Sequence, residues 1–276
     1  MKDKHIIKRV KGIATSDGAG VSLTRIIGQP SLPRLDPFLM LDFFGSDKPN
    51  EYLAGFPAHP HRGFQTVTYM LDGKMRHKDS VGNEGVIEAG GIQWMNAGKG
   101  IIHEEMPEQE DGLLRGFQLW VNLPSGEKMS APNYQDIKPH DVNVVKKDDM
   151  TVRVLAGSFE GCVGPVKTDA VDSTFLDVHL STRGAVFSQQ LALDNTLFVY
   201  VYEGSVDNGD ERLESGELGV FGEGESLTVT ANEACRFIVV AGKPLNEPVV
   251  QYGPFVMNTE QEIMQAIKDY QAGVLI

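Results

Sequence analysis

The sequence predicts an all-β protein, two barrels of one design in tandem with a helix at the C-terminal end. Three observations carry this. Apolar and polar residues alternate at strand spacing along most of the chain. Glycine stands at 30 of 276 positions, above the average of about 7%, and 14 prolines join it, so tight turns are frequent. Thr68–Gly73 is echoed by Val199–Gly204, each an apolar strand ending in an acidic residue and glycine, and each followed by a glycine-punctuated strand pair.

The elements follow in order. In the first half the alternation marks strands at Val21–Ile27, Gln65–Leu71, Val86–Ala89, Ile92–Met95 and Phe117–Leu123. In the second it marks Val152–Leu155, Leu176–Leu180, Val186–Leu191, Leu197–Tyr202, Leu227–Thr230 and Phe237–Ala241. Turn pairs such as Asp72-Gly73, Gly90-Gly91 and Asn208-Gly209 separate them, with no intervening helical pattern, which favours a sandwich or barrel over βαβ units. Ser125–Asp149 is polar, contains proline and lacks sustained periodicity, so its core reads as the linker between domains at 1–134 and 135–276. One helix is predicted after Thr259-Glu260-Gln261-Glu262, a capping box. Ile263, Ile267 and Tyr270 give it an apolar stripe, and Gly273 closes it.

Composition bounds the function. A chain of 276 residues with 41% hydrophobic residues can bury a sizeable core. With 25 Lys+Arg against 38 Asp+Glu the net charge is −13, which argues against a nucleic-acid surface or an anionic membrane as partner. No apolar run is long enough to span a bilayer, and the start of the chain has no apolar core of a signal peptide. Cys162 and Cys235 lie near no histidine and in no CxxC, so they read as small buried residues; a soluble, cytoplasmic monomer is expected. Residues 1–138 carry net −1 and residues 139–276 net −12, an asymmetry that fits two domains with different jobs.

Two short patterns carry chemistry: His59-Pro60-His61 and His103-Glu104-Glu105. Residues i and i+2 of a strand share a face, so each pair can point inward. On adjacent strands they bring three imidazoles and one carboxylate to a point, a donor set for Fe(II), Mn, Ni, Co, Cu or Zn. Four protein ligands in an octahedral sphere leave two positions open. A lone HxH is often a hydrogen-bonded core pair; the HxE pair is what favours a metal. Pro60 fits an edge strand, pointing outward between the two histidines. Glu104 alternates away from the site. His77 reads as a loop residue rather than a partner of a ligand imidazole, and His5, His140 and His179 as structural. Trp94 and Trp120 read as core, and Phe56 equally as core or as the mouth of a pocket. Gly98-Lys99-Gly100 lacks P-loop spacing and reads as a turn.

Gly55–Tyr69 and Gln93–Pro107 resemble the two signatures of pirins, members of the cupin superfamily. Leu119–Pro124, Lys128-Met129 and Gly253–Thr259 extend the resemblance over nearly the whole chain, most specifically in residues 55–135. It implies two cupin barrels with one metal in the N-terminal barrel, held by His59, His61, His103 and Glu105. Gln65 stands where other cupins place a carboxylate, and an amide is a poor substitute. The glycines of the repeat are 131 positions apart, which sets Gln190 and Ala192 opposite His59 and His61, so the second copy is expected to hold no equivalent metal. The resemblance further implies a dioxygenase that cleaves flavonols such as quercetin with O₂ and releases carbon monoxide, Fe(II) first among its metals and Glu105 acting as ligand and base. The alternative it implies is an iron-binding, redox-sensitive regulator working through a protein partner, with the acidic half steering the contact. A sugar-isomerase-like cupin using Zn or Mn fits the match less well.

Overall fold

The computed structural model describes residues 2–168 and 170–276. Its architecture is all-β, with one α-helix, Glu260–Gln271, among the described residues. The chain forms two units: residues 13–140 with 245–276, called here the first unit, and the segment ending at Gly12 with residues 141–244, the second.

The expected consecutive division at 134/135 is therefore revised at both ends. Ile6–Lys11 pairs with Glu217–Phe221 and belongs to the second unit. The C-terminal helix packs on the hairpin Val250–Tyr252 and Phe255–Met257 of the first unit. The chain does pass from one unit to the other inside Ser125–Asp149, at 140/141, but the stretch on either side is strand: Asn133–Ile137 pairs residue for residue with Ile92–Asn96, and Asn143–Lys146 pairs with Met150–Ala156. These are short, half-exposed edge strands, so their sequences carry little alternation. With the ends reassigned, the first unit holds 12 basic and 20 acidic residues (net −8), the second 13 and 18 (net −5). The charge contrast between halves of the sequence does not survive folding.

Both units use one layout. In the first, a seven-stranded sheet runs Asn133–Ile137, Ile92–Asn96, Phe64–Asp72, Leu114–Asn122, Phe38–Ser46, Val21–Ile27, Ile13–Asp17. A four-stranded sheet runs Phe56–His61, Ile101–Pro107, Lys74–Asp79, Glu84–Glu88. In the second, the corresponding sheets run Ile6–Lys11, Glu217–Phe221, Thr196–Glu203, Cys235–Gly242, Thr174–Leu180, Met150–Ala156, Asn143–Lys146 and Val186–Gln190, Ser226–Ala231, Ser205–Asn208, Glu211–Glu214. The chain's own start thus fills in the second unit the place that Asn133–Ile137 fills in the first. The sequence repeat is real at the level of strand order.

The second unit is packed with apolar side chains from both sheets, among them Phe159, Phe187, Leu227, Val229 and Phe237, each at 1% exposure or less. The first unit also has apolar clusters, such as Leu23, Phe44, Met70, Met75 and Ile87. Both units bury some polar residues, Lys4, Asp177 and Asn208 among those of the second, but among the described residues the first alone buries histidines, His61, His77 and His103, together with Glu105, Thr66, Thr68 and Gln93. The helix begins on the expected cap, Thr259 Oγ1 accepting from Glu262 N while Glu262 accepts from Thr259 N. Ile263 and Ala266 are buried under it, but Tyr270 is 43% exposed and only the edge of the expected stripe.

Candidate metal centre

The site rests on two neighbouring strands. Phe56–His61 is an edge strand pairing with Ile101–Pro107 so that His59 faces His103 and His61 faces Ile101; the register then shifts before Glu105, which faces Phe56. An edge strand tolerates Pro60, which has no N–H to donate, although its side chain is buried rather than outward. Burial alternates along Ile101–Pro107, with His103 and Glu105 inside and Glu104 turned out toward Arg76 at 3.6 Å.

The three imidazoles converge. Ring centroids lie 4.6 Å apart for His59 and His61, 4.5 Å for His59 and His103, and 5.0 Å for His61 and His103. Their ligand nitrogens fall within 4.8 Å of one another, so this trio can hold a metal ion. The Nδ1 of His59 lies 2.8 Å from the Pro57 carbonyl oxygen, which it meets as a donor, leaving Nε2 with its lone pair. His61 Nδ1 and both ring nitrogens of His103 are buried without a hydrogen-bond partner. Burial holds His61 well below the usual histidine range, with the neighbouring His103 and His59 adding to it. Burial pushes His103 down to about 4 against the pull of Glu105. Neutral imidazoles with unpaired nitrogens are what a divalent transition metal requires, so the residues fit such an ion.

Glu105 stands beside the trio, its Oε2 4.0 Å from His103 Nε2. Both its oxygens are engaged: Thr68 Oγ1 donates to Oε1 at 2.7 Å and Gln118 Nε2 to Oε2 at 2.7 Å. The structure thus brings His59, His61 and His103 together and sets Glu105 next to them.

Glycine and arginine hold the ends of these strands. Gly63 has φ +88°, and a Cβ there would lie 2.0 Å from the Val256 carbonyl oxygen. Gly100, just before the His103 strand, would meet Leu275 O at 2.3 Å. Buried Arg62 donates to the carbonyl of Lys99, to Asp269 Oδ2 at 2.7 Å and to Leu275 O at 3.1 Å, which pins the histidine strand to the turn before His103 and to the C-terminal helix. Lys128 is buried too; burial lowers its pKa to about 8, and its Nζ donates to Gly63 O, Asn122 Oδ1 and Val256 O at 2.7–3.0 Å.

A cavity of about 630 Å³ opens on the site, within the range of small-molecule pockets. His59 and His61 line it with Phe56, Met40, Gln118 and Trp120. Trp120, expected in the core, is a cavity wall, its ring 5.3 Å from that of His61. Phe56 is both buried and at the wall. Trp94 is core, its Nε1 donating to Gln65 Oε1 at 3.0 Å, which takes Gln65 out of the site. His77 is not a loop residue: it is buried on Lys74–Asp79, opposite Glu105, stacked on Tyr134, with Nε2 3.3 Å from Asp136 Oδ2. The turn glycines before and after it suggest a loop; the alternation that buries Met75, His77 and Asp79 is the signal that finds it. His179, read as structural, meets Tyr202 Oη at 3.0 Å and Asp177 at 3.2 Å in the second unit.

Known proteins resemble this chain along its full length. The Pirin family matches residues 20–121, and the Pirin C-terminal cupin domain matches residues 175–276. A pirin-like protein of Caulobacter vibrioides is 51% identical over 99% of both chains. Human pirin is 44% identical, covering 97% of this chain and 92% of its own. The crystal structure of a quercetin 2,3-dioxygenase from Acinetobacter baumannii superposes with a TM-score of 0.92 at 35% identity, covering 99% of this chain and 98% of that one. The chain belongs to the pirin family.

Proposed function

We propose that this member of the pirin family is a metal-dependent dioxygenase that cleaves a flavonol such as quercetin with O₂ and releases carbon monoxide. The observation that carries the proposal is the convergence of three imidazoles, His59, His61 and His103, with Glu105 next to them, at a cavity that Phe56 and Trp120 help to wall. The 35% identical Acinetobacter baumannii protein named quercetin 2,3-dioxygenase supports the choice of substrate class. The ion's proposed ligands are His59, His61, His103 and Glu105, in the first unit alone. A divalent transition metal held there supplies Lewis acidity toward a substrate oxygen and a redox centre for dioxygen, with Fe(II) first among the candidates and Mn, Ni, Co, Cu and Zn following.

The chain's own residues do the rest. Trp120 and Phe56 offer apolar faces against which a planar aromatic ring packs. Glu105 accepts the proton of the substrate hydroxyl, help worth typically about 10²–10⁴-fold for a well-placed base. Thr68 and Gln118 keep its two oxygens fixed for that task. Lys128 and Arg62 hold the strand ends so that His59 and His61 keep their separation. The test is anaerobic loading with Fe, Mn, Ni, Co or Cu in turn, then quercetin and O₂, followed by absorbance and carbon monoxide release. Turnover with at least one metal is expected; none with any of them contradicts the proposal. The acidic half expected to steer a protein partner is not a unit of the fold, and both units carry net negative charge.

A further inference from the structure

We propose that Gln118 is a two-ended positioning residue, tying the contents of the cavity to the carboxylate of Glu105. This rests on the reading of the cavity as a pocket for a hydroxylated aromatic ring. Gln118 and Trp120 lie two apart on the strand Leu114–Asn122 and both line the cavity. The Nε2 of Gln118 donates to Glu105 Oε2 at 2.7 Å. A carboxylate oxygen facing an amide accepts from its nitrogen, which fixes the amide's orientation by chemistry. The carbonyl Oε1 is then the other end, and it has no hydrogen-bond partner among the described residues.

Thr68 pairs with Gln118 across the sheet and holds the other oxygen of Glu105, but at 2% exposure it does not line the cavity. Of the two residues that grip Glu105, Gln118 alone also faces the ligand space. A ligand hydroxyl donating to Oε1 polarises the amide and strengthens its N–H bond to Glu105. A ligand with a methoxy group at that place supplies no donor and covers the carbonyl unpaired. Gln118 therefore sorts ligands by a hydroxyl donor and sets Glu105 for those that carry one.

The test uses the full chain loaded with cobalt(II), titrated without oxygen with quercetin and each of its monomethyl ethers. Tryptophan fluorescence reports binding, and the cobalt visible spectrum reports the surroundings of the ion. The wild type is expected to bind at least one ether about 5- to 10-fold more weakly than quercetin, the effect of one unpaired hydrogen bond. Gln118→Met has similar length and neither polar end; it is expected to erase that preference and to shift the cobalt spectrum. Gln118→Glu keeps an oxygen toward the cavity but sets acceptor against acceptor at Glu105, so the spectrum is expected to shift while the preference stays. An unchanged preference in Gln118→Met, or identical cobalt spectra in all three proteins, overturns the proposal. A wild type that binds no flavonol defeats the flavonol reading of the cavity instead, and the cobalt spectra still decide whether Gln118 sets Glu105.

Discussion

The two units share a strand order and differ in what that order encloses. Phe56–His61 and Ile101–Pro107 of the first unit correspond to Val186–Gln190 and Ser226–Ala231 of the second. Where the first strands turn His59, His61, His103 and Glu105 inward, the second turn in Phe187, Leu227, Val229 and Ala231. Alternation and turn residues set the barrel, whatever the inward side chains are. The chemistry rests on a few inward positions, and those can be exchanged for apolar ones without loss of the layout.

Four experiments break or sharpen that contrast. In the second unit Phe187 stacks on Phe159 at 5.3 Å and meets Phe237 at 5.8 Å, fully buried. Phe187→Ala is expected to cost about 3–5 kcal/mol in denaturant unfolding while bound metal per folded chain stays the same. A drop in metal stoichiometry of the folded protein would break the contrast.

In the first unit, His103→Ala removes a proposed ligand. Loss of an outer partner of a metal site costs 10–100-fold, so loss of a ligand is expected to cost more than about 100-fold in metal affinity, measured by competition with a chelator. Affinity within a few-fold of wild type contradicts the assignment.

The third experiment is a pH series. The folded pKa of His103, about 4, lies below the unfolded value near 6.5, so the unfolded chain binds more protons between them. Stability of the metal-free protein therefore falls as pH drops through that window, by roughly 2 kcal/mol at pH 5 from His103 alone. Urea midpoints at pH 7 and pH 5 check this, and His103→Phe is expected to flatten the difference. Equal midpoints for the metal-free wild type at both pH values tell against a buried neutral His103.

The smallest effect concerns the helix. Thr259→Ala removes the cap and is expected to cost about 1 kcal/mol. Hydrogen exchange should quicken in Val250–Met257 and around Arg62, which Asp269 and Leu275 anchor, and stay unchanged in the second unit. Uniform quickening across the chain counts against the assignment of the helix to the first unit.

Much of this was legible in the sequence. The strongly alternating strands, the capping box and the i, i+2 histidine pairs follow from local periods of 2 and 3.6, which survive whatever the rest of the chain does. Ile6–Lys11 and Asn133–Ile137 were not legible as partners of distant strands, because an edge strand half open to solvent needs no alternation and its partner is set by tertiary structure. Trp120 looked like core because an inward position reads the same whether it faces packed side chains or a cavity. The offset of 131 that set Gln190 and Ala192 opposite the histidines is displaced in register, since Phe187 takes the buried place on the corresponding strand. Glu105 was found by its spacing, but its grip by Thr68 and Gln118 depends on cross-strand register that only the folded sheet supplies.

The central claim is that one unit carries a metal centre and the other does not. Equilibrium dialysis of the full chain against cobalt(II), with elemental analysis, tests it most directly in the wild type and in the double variant His59→Ala, His61→Ala. One ion per wild-type chain and none in the variant is the expected result; two ions per wild-type chain, or one retained in the folded variant, contradicts it.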